Sequence, residues 1–197
     1  MKLRSWLLGG CVSGALVFAA LPSQATPVHE CVAGQPTAQS YTWNFQREAD
    51  GIFEQIHNDA THVTDQAATL QQDVADTDLT WVSHGDSLMR LKASVNDMAD
   101  KLCRLQAIRR VLAPWQQKAV DRINTEVRLM VDNAQDAITF SNSNPSDLWS
   151  PTYSAYVNNL YNEASSLGNS TADAVRYAKV RKEYRDLRND LGVKASS

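Results

Sequence analysis

The sequence predicts an all-α fold, an antiparallel up-down-up-down four-helix bundle with long helices, and two observations support this prediction. Apolar residues repeat every seven positions in four successive stretches, the spacing of a helix that buries one stripe against its neighbours. The connections between the stretches are short, which places consecutive helices side by side in opposite directions. Only six prolines and eight glycines occur in 197 residues, so helix breakers are rare.

The N-terminus is predicted to be a cleaved signal peptide that does not belong to the fold. Lys2 and Arg4 precede an apolar run over residues 6–21, and small residues lead to a cleavage position after Ala25. A lipid anchor is the alternative, because the residues around Cys11 resemble a lipobox, although ten mostly apolar residues follow that cysteine. We therefore expect a periplasmic or secreted protein without a transmembrane span in the mature chain.

Two cysteines remain after cleavage, and the redox state of the compartment determines whether they form a disulfide. Residues 26–40 show no hydrophobic period and contain two prolines, so we expect an extended arm that carries Cys31. In an oxidising compartment we expect Cys31 to pair with Cys103, closing a loop of about 73 residues; two unpaired thiols are the alternative. The predicted organisation is a signal peptide (1–25), an extended arm (26–40), the bundle (41–192) and a disordered tail (193–197).

The first helix is predicted over residues 42–72, with Thr42 as its N-cap. One buried row recurs every seven residues, and Phe45 and Ile52 begin a second row that Asp59 and Gln66 interrupt. The members of the first row are Ala49, Ile56, Val63 and Leu70.

The second helix is predicted from about residue 78 to 113, capped by Thr77 or Asp78. Its two rows are Trp81, Leu88, Val95 and Leu102, and Leu91, Met98, Leu105 and Leu112, the latter headed by His84. Pro114 should end this helix and begin the next, because proline disfavours helix in the preceding residue. The alternative is a three-helix bundle in which Pro114 only kinks one long helix.

The third and fourth helices are separated by a polar loop that begins near Ser141. Helix 3 carries rows at Val120, Val127 and Ala134, and at Ile123, Met130 and Ala137. Ser150 and Pro151 are suited to the N-cap and first position of helix 4. Its core row is predicted at Tyr153, Val157, Leu160, Ala164, Leu167, Ala174, Tyr177 or Ala178, Tyr184, Leu187 and Leu191, with a possible kink or break at Gly168.

Charge is distributed unevenly along the predicted bundle. Loss of the signal peptide removes two of 19 basic residues and leaves a net charge of about −5, which argues against nucleic-acid binding. Basic residues nevertheless collect at the end where helices 2 and 4 finish and helices 1 and 3 start. Cations that merely complement helix C-termini are one explanation. The other is a docking surface for an unknown protein or an anionic envelope surface, made by Arg109, Arg110, Lys118, Arg122, Arg181, Lys182, Arg185 and Arg188.

Motifs for chemistry are weak, so we expect a non-enzymatic interaction module without a cofactor. Glu54 and His57 have the Glu-x-x-His spacing of di-iron bundles, but the buried row through Ile56 should turn both toward solvent. His84 falls within the core stripe, where a hydrogen-bonded core histidine is the simpler interpretation. The alternative function is a small-ligand- or metal-binding bundle of the periplasm, with His84, Asp59 and core aromatic residues near the site.

Overall fold

The computed structural model describes residues 43–76, 78 and 80–192. The predicted signal peptide with Cys11, the arm with Cys31 and the tail 193–197 lie outside the described residues. The described chain is all-helical, with four helices packed against each other, as the sequence predicts. These are α1 (Phe45–Ala75), α2 (Trp81–Ile108), α3 (Pro114–Ser143) and α4 (Pro151–Asp190). None of them is both long enough and apolar enough to cross a membrane.

The first two helices begin later than the sequence predicts. Asn44, and not Thr42, is the N-cap of α1, and its side chain accepts a hydrogen bond from the Arg47 amide at 3.0 Å. Thr80, and not Asp78, caps α2. Both residues belong to the types that accept hydrogen bonds from free amides in a first helical turn.

Pro114 starts a new helix, as predicted, and does not kink a continuous one. A 3-10 turn at Arg109–Val111 follows α2, and Leu112 and Ala113 are extended. The Ala113 amide donates to the side-chain oxygen of Gln116 at 3.1 Å, so a side chain satisfies one free amide at the start of α3. Ser150 caps α4 in the predicted way.

The four helices pack as a ring in which α1 and α3 each contact both α2 and α4. Side-chain hydrogen bonds join neighbouring helices at these pairs: Asp73–Ser87, Asp59–Lys101, Glu48–Arg104, Gln106–Asn124, Asn133–Glu163 and Gln71–Asn158. We call the end at which α1 and α3 start and α2 finishes the lower end, and the opposite end the upper end.

On α1 the second buried row lies one residue further along than the sequence predicts. Phe53, Ala60 and Ala67 are fully buried, whereas Asp59 is only half-buried. Asp59 and Gln66 are not buried and do interrupt the row that begins at Phe45 and Ile52, but a buried row that the sequence did not predict runs through their neighbours.

Helix α4 continues through Gly168, so the structure shows no break at the predicted weak point. The Gly168 carbonyl lies 3.0 Å from Nδ1 of His57 on α1, and the Thr171 hydroxyl donates to the Leu167 carbonyl at 2.7 Å. Tertiary packing and these hydrogen bonds outweigh the low helix propensity of glycine.

The predicted core rows extend too far at the end of α4 and at the start of α2. Ala174 is the last buried residue of α4, and Tyr184, Leu187 and Leu191 are exposed. No described helix covers these three side chains. Trp81 is also exposed, and the buried residues of α2 begin at His84.

Candidate functional site

An open groove of about 760 Å³ lies at the lower end, between the start of α1 and the last part of α4. The start of α3 supplies its floor through Trp115 and Gln116. Its walls are polar and charged, unlike the bundle interior immediately behind it. Concave surfaces with convergent polar groups are the usual sites of recognition.

A buried glutamine fixes the floor of the groove. Gln116 is 1% exposed, and its side-chain nitrogen donates to the Gln46 carbonyl at 2.9 Å and to Asp50 Oδ1 at 2.8 Å. Partial burial raises the pKa of the Asp50 carboxyl, while the Gln116 hydrogen bond and the charges of Arg185 and Arg181 oppose that rise. These hydrogen bonds join the first turns of α1 and α3. They also fix the Asp50 carboxylate where the charges of Arg185 and Arg181 act on it.

Contacts between aromatic side chains connect the groove to the core. Trp115 packs edge-on against Tyr177 with ring centroids 4.8 Å apart. It also packs against Phe53 at 6.2 Å, with the two rings tilted by 47°. The Arg181 guanidinium lies over the Tyr177 ring, 5.9 Å from its centroid. This arrangement holds the arginine beside the groove through a cation–π contact.

Positive charge predominates along the groove. Its lining includes three carboxylates (Asp50, Glu54 and Asp186) and five cations: Arg47, Lys179, Arg181, Lys182 and Arg185. Within the described chain, none of these five cations has a carboxylate oxygen within 4.0 Å. Within the described residues, an anionic ligand would therefore reach these cations without first breaking an ion pair.

The predicted surface residues divide into two groups in the structure. Arg181, Lys182 and Arg185 line the groove, and Arg188 lies one turn beyond Arg185 on α4. The other four lie at the end of α2 and on the first turns of α3, outside the groove lining: Arg109, Arg110, Lys118 and Arg122.

Two members of the second group already have partners. Arg109 donates to both carboxylate oxygens of Asp121, at 2.7 and 2.6 Å, and Arg122 lies 3.4 Å from Glu126. The Asp121 hydrogen bond raises the pKa of Arg109, and the same contact lowers the pKa of Asp121. Arg110 and Lys118 are exposed. The α4 group is therefore the more available of the two.

Sequence reasoning did not identify the α1 side of the groove. Arg47, Asp50 and Glu54 follow one another at intervals of three and four residues, so they share a polar face of α1. That spacing was visible in the sequence. The role of Gln116 was not, because it depends on which carbonyl and carboxylate the fold brings to it.

The upper end contains a second unusual feature, a buried histidine without hydrogen bonds to the described residues. His84 is 0% exposed, and neither ring nitrogen has a partner among the described residues. Its ring packs edge-on against Tyr153 at 5.8 Å, and the buried Tyr153 hydroxyl also has no described partner. Burial lowers the pKa of His84, while the negative charge of Asp73 opposes the shift. Burial also raises the pKa of Tyr153, so both groups stay neutral near pH 7.

Of the predicted ligand-site residues, the structure brings the core aromatic Tyr153 to His84 but not Asp59. Asp59 forms an ion pair with Lys101 at 2.5 Å, and Lys101 lies 17 positions along α2 from His84, about 25 Å away at 1.5 Å per residue. Among the described residues, no group of three or more His, Cys, Asp or Glu side chains could hold a metal ion.

The Glu-x-x-His pair does not face solvent as a unit. Glu54 is exposed, but His57 is half-buried against α4, so the prediction that both point outward was wrong for His57. Because a carbonyl only accepts, the hydrogen bond to Gly168 requires the proton on Nδ1.

Cys103 is half-buried on α2. Its predicted partner, Cys31, lies outside the described residues, and the disulfide stays a prediction.

No family model matches this chain, and neither a curated protein nor a solved structure shows significant similarity to it.

Proposed function

We propose that this chain is an exported, non-enzymatic helical bundle that acts by docking its lower end on an acidic partner protein or an anionic envelope surface. The observation that carries the proposal is the groove, in which five cations without described ion-pair partners outnumber three carboxylates. Such a surface attracts anions over about a Debye length and binds them with strong salt dependence.

The proposal includes the finer architecture and location predicted from the sequence. An up-down-up-down topology would place the ends of α2 and α4 beside the starts of α1 and α3, and the register of the side-chain hydrogen bonds supports it. The signal peptide would direct export of the chain and be cleaved after Ala25. A Cys31–Cys103 disulfide would then link the arm to α2. Export would also place the lower end within reach of anionic lipids and envelope polymers.

The test is a binding measurement with two anionic probes, phosphatidylglycerol-containing vesicles and labelled polyglutamate. We expect both the vesicles and the polymer to be bound at low salt, and binding to be lost near 0.5 M salt. Arg181→Glu combined with Arg185→Glu should weaken low-salt binding at least about tenfold, because it reverses two cations beside the groove. If only the vesicles bind, the partner is an anionic lipid surface, and if only polyglutamate binds, it is an acidic polypeptide.

A matched variant distinguishes the effect of the groove on binding from the effect of net charge. Arg90→Glu combined with Arg128→Glu changes the charge equally on exposed positions outside the groove, and it should keep most of the binding. A third variant, Arg110→Glu with Lys118→Glu, measures what the α2 and α3 side contributes. The proposal is wrong if salt has no effect, or if the groove variant binds as well as the matched control.

A ligand-binding bundle is the second candidate, and the orphaned polar atoms of His84 and Tyr153 favour it. Three buried nitrogen and oxygen atoms have no partner among the described residues, which is costly unless something hydrogen-bonds to them. Native mass spectrometry of the exported chain tests this candidate. A bound small molecule that His84→Leu abolishes would support it, and a bare polypeptide would exclude a tightly held ligand.

A further inference from the structure

The groove at the lower end holds charges of both signs at different depths. Asp50 is half-buried beside the floor, where the side-chain nitrogen of Gln116 donates to its Oδ1 at 2.8 Å. The four cations on the α4 wall are all exposed: Lys179, Arg181, Lys182 and Arg185. A ligand that enters the groove therefore meets cations at the rim before it reaches the carboxylate.

Asp50 and the arginines lie near each other without forming ion pairs. Burial raises the pKa of Asp50, and Arg185 and Arg181 are close enough for their charges to oppose that rise. Yet no cation of the described residues has a nitrogen within 4.0 Å of the Asp50 carboxylate. Both the carboxylate and the guanidinium groups therefore keep hydrogen-bonding capacity for a ligand between them.

Gly51 leaves the α1 wall open beside Asp50. It lines the groove, and a Cβ added to it would meet no atom within 4 Å. Its φ is not positive, so neither packing nor backbone conformation requires glycine here, although glycine weakens a helix relative to alanine. What the glycine provides is groove space next to the carboxylate.

This distribution of charge selects the class of ligand. An anion alone would be repelled at the floor by Asp50, and a cation alone would be repelled by the five cations of the groove. A ligand that carries a primary ammonium and an anionic group a few bonds apart satisfies both. Several adjacent cations suit a phosphate, since it offers more acceptor oxygens than a carboxylate does.

We infer that the groove binds a phosphoethanolamine group, with the ammonium on Asp50 and the phosphate on Arg181 and Arg185. The inference rests on the proposed function, since it names the chemical group that the same groove recognises. A phosphatidylethanolamine headgroup and a soluble phosphate ester both present this group. Phosphocholine is the matched analogue, because its nitrogen is equally charged but has no N–H to donate to Asp50.

The first test is an NMR titration of the full chain with soluble O-phosphoethanolamine. Amide signals from residues 44–54 and 175–189 should shift and saturate, because these segments line the groove. O-phosphocholine and glycerol phosphate should bind about tenfold more weakly, since neither can donate from an ammonium to Asp50.

The second test uses vesicles with a fixed fraction of phosphatidylglycerol and a remainder of either phosphatidylethanolamine or phosphatidylcholine. Tighter binding to the phosphatidylethanolamine vesicles, with or without the soluble preference, assigns the group to a lipid headgroup. A soluble preference with equal binding to both vesicles assigns it to a soluble phosphate ester.

Asp50→Asn separates recognition of the ammonium from general attraction of anions. The variant keeps Oδ1 for Gln116 and removes the charge, so it should lose the preference for ethanolamine over choline and still bind glycerol phosphate. Asp65→Asn is the matched control, because it makes the same change at an exposed position of α1 outside the groove lining, and it should keep the preference.

Gly51→Leu tests the position of the ligand. The leucine side chain would occupy groove space, so phosphoethanolamine binding should weaken at least about tenfold while the thermal midpoint does not fall. Unchanged binding in this folded variant would contradict a ligand between α1 and α4.

Two further results would overturn the inference. One is a preference for ethanolamine over choline that survives Asp50→Asn, and the other is no such preference in either titration. If phosphatidylglycerol vesicles or polyglutamate bind through Arg181 and Arg185 while ethanolamine never has an advantage over choline, the proposed function stands and this inference falls.

Discussion

Replacement of His84 by leucine should make the protein more stable and less sensitive to acid. The His84 ring is fully buried, and both of its nitrogens lack hydrogen bonds among the described residues. Leucine has a similar volume and no polar atoms to satisfy. Because an unsatisfied buried polar group costs about 1–3 kcal/mol, we expect His84→Leu to raise the free energy of unfolding by about 1 kcal/mol at pH 7.5.

The pH dependence follows from the lowered pKa of His84. Above the ordinary histidine pKa of 6.5, the side chain is neutral in both the folded and the unfolded chain, and pH has no effect through this group. Below 6.5 the unfolded chain binds the proton first, so the folded state loses stability as pH falls toward the lowered folded-state pKa. The slope approaches 1.36 kcal/mol per pH unit, which gives at most about 2 kcal/mol between pH 7.5 and pH 5.

Urea denaturation of the wild type and of His84→Leu, at pH 7.5 and at pH 5, measures this contribution. The quantity of interest is the difference between the two proteins in their loss of unfolding free energy. Other groups with shifted pKa values, such as Asp50 and Glu163, are present in both proteins and cancel. His62→Leu is the control, because that side chain is exposed on α1.

Equal losses in the wild type and in His84→Leu would refute the reasoning. That result would mean that His84 is not buried as a neutral ring at the upper end. A histidine that titrates by NMR at or above 6.5 in the folded protein would lead to the same conclusion.

Three other predictions concern stability. Gly168→Ala should raise the free energy of unfolding by about 0.5–1 kcal/mol in thermal or urea denaturation, because an added Cβ meets no atom within 4 Å; Gly192→Ala, at φ +65°, should give no gain. Lys101→Met should lower stability by about 1 kcal/mol, since it leaves half-buried Asp59 without its partner, whereas Asp97→Asn should cost less because Asp97 is 62% exposed. Reduction should add the mass of two hydrogens to the exported chain, and Cys31→Ser should lower stability by up to about 4 kcal/mol; unchanged mass on reduction would exclude the disulfide.

The helices could be predicted because heptad rows report directly on which face of a helix is buried. Leu91, Met98 and Leu105 lie where the seven-residue repeat places them, and Pro114 starts a helix for local steric reasons. The Ala60 and Ala67 row was missed because alanine carries a weak hydrophobic signal. Continuity at Gly168 could not be predicted from propensity, since the His57 contact from α1 supports it.

The basic residues of the lower end could also be predicted, but the groove could not. Charge counts identified Arg181 and Arg185. The floor made by Gln116 and the ion pairing of Arg109 depend on distances between helices, which sequence spacing does not contain. The exposure of Leu187 could not be predicted for the same reason, because its spacing continues the core row while no helix of the described bundle covers it.

Hydrogen exchange of the full chain, with and without a saturating anionic probe, tests the central claim most directly. The probe is whichever of polyglutamate and phosphatidylglycerol vesicles binds at low salt. We predict slower amide exchange in peptides from residues 44–54 and 175–190, which form the two sides of the groove. Residues 81–95 and 134–150 at the upper end should exchange at unchanged rates. Protection at the upper end without protection along α4 would contradict docking through the basic end.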